Sequence, residues 1–130
     1  MTTIKANIGK EHYQTTLTAR NHQLIADEPV ENGGTDLGFS PSELFASALG
    51  TCTSVTLRMY ADRKNFPLES VETIVTFERD QALNISRINR EISLKGDLTD
   101  EQRERLLQIA NQCFIHKTLS NPILINTGLQ

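Results

Sequence analysis

The chain has no tryptophan, and its aromatic residues are two tyrosines and five phenylalanines out of 130 positions. A core built from it must rest on Leu, Ile, Val and Ala. Basic residues are not in excess: 13 Lys and Arg stand against 16 Asp and Glu, for a net charge of −3. That argues against nucleic acid as the main partner, because phosphate binding needs a concentrated positive footprint. No apolar run approaches the ~20 residues that span a bilayer. The opening MTTIKANIGKEHYQ has no apolar stretch of signal-peptide length, so the expected location is the cytoplasm, with no membrane partner. Cysteine is scarce as well, at two residues. In a reducing compartment a pair of thiols points to a redox, metal or core role.

What is present fits one domain over residues 1–130. A chain of this length buries roughly two-thirds of its unfolded surface and can hold a core without staples. Residues 3–28 alternate and break repeatedly; TIKANIG, HYQTTLTA and HQLIADE each read as a short strand of an antiparallel meander. The stretch 29–40, PVENGGTDLGFS, carries three glycines and a proline and reads as a loop long enough to be functional.

Helix signals begin at Ser40. Ser40 suits the N-cap, Pro41 the first helical position and Glu43 the third, which makes a capping box. Leu44, Ala48, Cys52, Val55 and Met59 then recur at helical spacing, widened by Phe45 and Leu49. Cys52 falls inside this stripe. Ala46, Ser47, Ala48, Gly50, Thr51 and Ser54 keep the middle of the helix thin, which predicts close approach by a second helix or a ligand. Two alternating runs, SVETIVTFERD and ISRINREISLKG, predict a hairpin turning near 81–84. Thr99 with Gln102 forms a second capping box, followed by an apolar face of Leu106, Leu107, Ile109, Ala110 and Cys113. Residues 115–121 form a short segment with helical character, Pro122 stops it, and ILINTGL reads as a last strand. There is no internal repeat or linker. The order β-β-β-α-β-β-α-(α)-β is that of an α+β domain.

Four side chains carry the candidate chemistry. Cys52 is either a small core residue, a common fate of free cysteine, or a thiolate nucleophile at a pocket floor. Cys113 and His116 are three apart, so on a continuing helix they share a face and a protonated His116 would stabilise a Cys113 thiolate. The alternatives are a core Cys beside a surface His, or half a zinc site completed by Cys52; no metal or cofactor is the expectation. Glu43 has a structural use as the capping-box acid. It stands nine residues before Cys52, about 900° around a helix, so the two point to opposite faces.

SPSELFASALGTC, the strand pair after it, and IANQCFIHKTLSNPILI together resemble the OsmC/Ohr family of osmotically inducible and organic-hydroperoxide-resistance proteins. The resemblance covers nearly the whole chain. It implies an intertwined homodimer in which two sheets wrap central helices. It also implies a thiol peroxidase. The Cys52 thiolate would attack an organic hydroperoxide, the sulfenic acid would condense with Cys113, and a dithiol would reduce the disulfide. Two features depart from the family pattern. Its peroxidases carry a Glu ten residues before the reactive Cys, paired with an Arg from an upstream loop. Ser42 holds that position here, Glu43 lies one place on, and the loop 29–40 has no Arg. Arg20, Arg58 and His116 are the candidate replacements. After Cys113 the sequence reads Phe-Ile-His where the family has Pro. Two alternatives to the peroxidase follow: another thiol-redox function on the same scaffold, or a non-enzymatic binder of a small apolar ligand.

Overall fold

The computed structural model describes all residues, 1–130. Its elements are β1 (Lys5–Ile8), β2 (Thr15–Ala19), β3 (His22–Ala26), a 3-10 turn (Val30–Asn32), α1 (Pro41–Lys64), β4 (Leu68–Asp80), β5 (Ile85–Gly96), α2 (Asp100–Ala110) and α3 (Phe114–Leu119). They fall into two compact units, residues 1–45 and 46–130.

In the first unit β1, β2 and β3 form the expected antiparallel meander, with Leu17 opposite both Ala6 and Leu24. The loop 29–40 folds back on β3: the Asp27 N–H donates to the Phe39 carbonyl at 3.1 Å, and Ala26 bridges Phe39. Its glycines allow this approach, since a Cβ on Gly38 would lie 1.9 Å from the Ile25 carbonyl oxygen. The organising group is Asp27, only 2% exposed. Its carboxylate accepts from the N–H groups of Tyr13, Glu28, Thr35 and Leu37 and from the Thr35 hydroxyl. A buried charge is tolerable when donors surround it in this way. The capping box that opens α1 is also formed: the Ser40 N–H donates to Glu43 Oε1 at 2.9 Å, and the Glu43 N–H to Ser40 Oγ at 3.2 Å.

In the second unit β4 and β5 make one long hairpin, turning at 81–84 as the sequence predicts, with Val75 opposite Arg90. Thr99 and Gln102 form the capping box of α2. The core gathers Leu57, Tyr60 and Ala61 of α1, Leu68 of β4, and Leu106 and Ala110 of α2. Val71, Ile92, Leu94 and Ile109 pack against it.

Three expectations change. The buried line of α1 is Leu49, Thr53, Leu57, Tyr60 and Ala61, one residue round from the stripe read in the sequence. Cys52 therefore sits half-buried at its edge, while Val55 and Met59 are exposed, Met59 at 65%. Within this unit the neighbour at Gly50 is strand β4 rather than a helix or ligand: a Cβ there would stand 3.4 Å from Val75 Cγ2. Ser54 and Thr73 seal the same contact through their hydroxyls at 2.9 Å. Finally, residues 122–130 form no strand. A strand needs a neighbouring edge to satisfy its backbone, and this segment pairs with none in the chain, leaving Leu124 90% exposed.

The Asp27 network predicts acid sensitivity. The Thr35 hydroxyl, and then the Glu28, Leu37 and Tyr13 N–H groups, hold its carboxyl far below the usual carboxylate range, against the opposing effect of burial. The folded value lies below the unfolded one of about 3.9. The stabilisation is therefore complete above that value and is lost as pH falls below it. Asp27→Asn keeps the shape but cannot accept all five donors. Its urea midpoint at pH 7 should fall below that of wild type, and its midpoint should depend less on pH below about pH 4. Equal midpoints and equal acid dependence would show that the network contributes nothing.

Candidate functional site

Both cysteines lie in the second unit, and both are free thiols. Cys52 comes from the middle of α1 and Cys113 from the turn between α2 and α3. The sequence reading carried α2 through Cys113, but the helix ends at Ala110, with Asn111 as its C-cap. Cys113 instead caps α3 with extended dihedrals, φ −65° and ψ 147°. The Cys113 sulfur accepts from the His116 N–H at 3.3 Å. The expected partnership of Cys113 and His116 thus exists through the backbone and not through the imidazole.

This break in the helix brings the start of α3 onto Cys52. Burial pushes the Cys52 thiol up. The donors around it outweigh that effect: the Ile115 N–H, the Cys113 thiol, the Thr56 hydroxyl and the Phe114 N–H together hold it below the ordinary thiol value. A lowered value raises the thiolate fraction near neutrality, and the thiolate is the reactive form. Cys52 is half-buried and Cys113 is 1% exposed. Of the two, Cys52 is the one a reagent in solution can reach.

The cationic group at the site is Arg90, which the sequence reading did not single out. It projects from β5 on the face shared by Ile88, Ile92 and Leu94. Its NH1 donates to Thr53 Oγ1 at 3.0 Å, and its NH2 donates to Asn111 Oδ1 at 2.8 Å and meets His116 Nδ1 at 3.1 Å. A guanidinium only donates, so His116 Nδ1 accepts and the neutral ring carries its proton on Nε2. Burial, and after it the Arg90 charge, push the His116 value down. This corrects the expectation of a protonated His116 supporting a thiolate. Thr53, fully buried, donates to the Leu49 carbonyl at 2.7 Å and lies 3.8 Å from the Cys113 sulfur. One signal for Arg90 was present in the sequence, a charge at an inward-facing position of an alternating strand. Thr53 and Asn111 gave none.

The other candidates are used elsewhere. Arg58 grips Asp62 at 2.7 Å and the Leu68 carbonyl at 2.7 Å. Glu43 serves the capping box, where the Ser40 N–H and then the Ser40 hydroxyl push its value down. Arg20 occupies the β2–β3 turn in the left-handed region, with φ 55°. Glu43 and Arg20 belong to the first unit. No group of three or more His, Cys, Asp and Glu side chains is arranged to hold a metal ion, and no helix is long and apolar enough to cross a membrane.

A family model described as OsmC-like protein matches residues 33–128. Among solved structures, the chain resembles an OsmC-like protein from Mycoplasma pneumoniae with a TM-score of 0.80 at 20% identity, covering 92% of this chain and 87% of that one. An organic hydroperoxide resistance protein OsmC from Legionella pneumophila gives a TM-score of 0.67 at 22% identity, over 92% and 88% of the two chains. The organic hydroperoxide resistance protein OhrB of Bacillus subtilis gives 0.62 at 21% identity, over 91% and 89%. No curated protein matches the sequence.

The two thiol environments predict unequal reactivity. In the native reduced protein, iodoacetamide should alkylate Cys52 with a pH midpoint below that of the same thiol in the urea-unfolded chain, while Cys113 stays largely unmodified. Thr56→Val, which removes one donor, should move the Cys52 midpoint upward. A Cys52 profile like that in the unfolded chain, or faster modification of Cys113, would contradict the geometry described above.

Proposed function

Since the chain belongs to the OsmC-like family, we propose that it is a cysteine-dependent peroxidase that reduces organic hydroperoxides in oxidative-stress defence. The observation that carries the reading is the environment of Cys52: a half-buried thiol, held below its ordinary value, with the Cys113 thiol among its donors. The Cys52 thiolate attacks the distal peroxide oxygen. The O–O bond breaks, the alkoxide leaves as the alcohol, and Cys52 becomes a sulfenic acid. Cys113 then closes on the oxidised sulfur, a disulfide forms, and water leaves. A dithiol restores both thiols by exchange. The small apolar side chains of α1 near the thiol favour an alkyl hydroperoxide over hydrogen peroxide. No metal or cofactor takes part. A reducing cytoplasm suits a resting state with both thiols free.

The working form in this reading is a homodimer. Val55 and Met59 of α1 and the segment Ile123, Leu124 and Ile125 are exposed apolar groups, and exposed apolar patches mark interaction surfaces. A second copy of the chain is their proposed cover, with residues 123–129 adding to a sheet edge of the partner.

Two measurements test these statements. The first is intact-mass spectrometry of the reduced protein after brief exposure to stoichiometric cumene hydroperoxide. Wild type should lose two hydrogens, Cys113→Ser should hold a trappable sulfenic acid, and Cys52→Ser should remain unchanged. No mass change in wild type would redirect the reading to a binder of a small apolar ligand or to another thiol exchange. The second is light scattering on a sizing column. Wild type should elute at twice the chain mass and Met59→Asp should shift towards the single chain. A monomeric wild type would remove the dimer from the proposal.

A further inference from the structure

We infer that Arg90 and Thr53 are positioning residues for the second half of the proposed cycle, in which Cys113 closes on oxidised Cys52. The inference rests on the peroxidase reading and adds to it a device on the resolving thiol.

Cys113 is 1% exposed, so bulk water does not solvate its sulfur. Besides Cys52, two polar neighbours contact it, the His116 N–H at 3.3 Å and Thr53 Oγ1 at 3.8 Å. Thr53 has one hydroxyl hydrogen, and in the resting arrangement it goes to the Leu49 carbonyl at 2.7 Å. Arg90 NH1 donates to one lone pair of Oγ1 at 3.0 Å. The other lone pair faces the Cys113 sulfur at 3.8 Å, whose single hydrogen goes to Cys52 at rest. Thr53 is therefore poised as a rotor. As Cys113 gives up its proton, the Thr53 O–H turns from the Leu49 carbonyl to the sulfur, and a donor replaces an acceptor there without movement of the backbone. The Leu49 carbonyl is a helical acceptor within α1, so it tolerates the loss of the extra donor.

Arg90 gives the rotor its bias. The hydrogen bond from NH1 holds the Thr53 oxygen in place through the turn. The guanidinium is half-buried, and its partners are the hydroxyl of Thr53, the amide oxygen of Asn111 and the neutral ring of His116. The ion pairs of the protein are Arg58 with Asp62 and Arg87 with Asp80; Arg90 faces no carboxylate. Its charge is thus uncompensated beside the place where negative charge develops on sulfur, which is where a fixed charge accelerates a step. The other titratable groups at Cys113 are Cys52 from α1 and His116 from α3.

The step balances within the chain. Cys113 loses its proton and its sulfur forms a bond with the Cys52 sulfur. The sulfenic S–O bond breaks, and the leaving oxygen takes a proton to depart as water. The peroxide has supplied the oxidising equivalents in the preceding step.

The test separates the two steps in time. Reduced wild type, Arg90→Gln, Arg90→Lys, Thr53→Val and Thr53→Ser are mixed with stoichiometric cumene hydroperoxide and quenched at intervals with dimedone, and masses are read intact. Arg90→Gln and Thr53→Val should form the sulfenic acid but close the disulfide roughly tenfold more slowly, the loss of one hydrogen bond to a forming charge. The dimedone adduct therefore accumulates. Thr53→Ser keeps the hydroxyl and should close near the wild-type rate, and Arg90→Lys should recover part of it. Closure at the wild-type rate in both Arg90→Gln and Thr53→Val overturns the inference. So does equal slowing of both steps with Thr53→Ser no better than Thr53→Val, which would make the pair packing alone. A wild type that forms no sulfenic acid fails at the earlier step, and there the peroxidase reading falls and this pair with it.

Discussion

The second unit depends on one charge facing inward. Arg90 stands on the covered face of β5 between Ile88 and Ile92, a place where a guanidinium costs free energy unless every donor it turns inward finds an acceptor. The acceptors come from three further places in the chain: Thr53 on α1, Asn111 after α2, and His116 on α3. Satisfying Arg90 therefore fixes the positions of α1 and α3 against the hairpin. Those are the two elements that carry Cys52 and its backbone donors. A half-buried charge held by neutral partners ties those partners to one arrangement, and here the arrangement is that of the two thiols.

That constraint explains which parts of the fold were legible. Both capping boxes could be read from four residues, because capping is local chemistry. The meander and the hairpin could be read from alternation, with the turn at 81–84 marked by its polar residues. The end of α2 could not. Leu106, Ile109, Ala110 and Cys113 keep helical spacing through Asn111 and Gln112, and neither Gly nor Pro marks the break. The contacts at this break are non-local: Asn111 is drawn to Arg90, and Cys113 is in contact with Thr53. A periodicity argument sees none of these partners.

The same limit applies to α1. Its apolar and small residues cover more than one face, and spacing alone does not say which face meets the chain's own sheet. Gly50 and Ser54 meet Val75 and Thr73 of β4, and Leu49, Thr53 and Leu57 turn into the interior. Val55 and Met59, read as part of the same stripe, are left outside. The unpaired ILI segment at residues 123–125 presents the same problem in extended form. It has the composition of a strand, but a strand exists only beside another. Both features leave apolar surface that a single chain does not use, and the resemblance to an intertwined dimer gives that surface a purpose in the proposed function.

The two cysteines were visible from the start; their inequality was not. Cys52 and Cys113 are both small residues at apolar spacing; spacing alone does not rank them, and only the family resemblance put Cys52 first. The fold ranks them by supply of donors and by access. Cys52 receives the Ile115 and Phe114 N–H groups, the Cys113 thiol and the Thr56 hydroxyl while staying half-buried. Cys113 is shut in behind a threonine whose hydrogen points elsewhere. A thiol with donors and access reacts first, and a thiol without access waits for a partner inside the protein. The order of events in the proposed cycle is the one this difference in donors and access favours. It also bears on the pair that the wider family places at this step, a Glu ten residues before the thiol with an upstream Arg. Here Ser42 holds the one position and the loop 29–40 offers no Arg for the other. In this chain the Ile115 and Phe114 N–H groups lie on Cys52, and the Arg90 guanidinium of β5 reaches towards sulfur through Thr53 to Cys113.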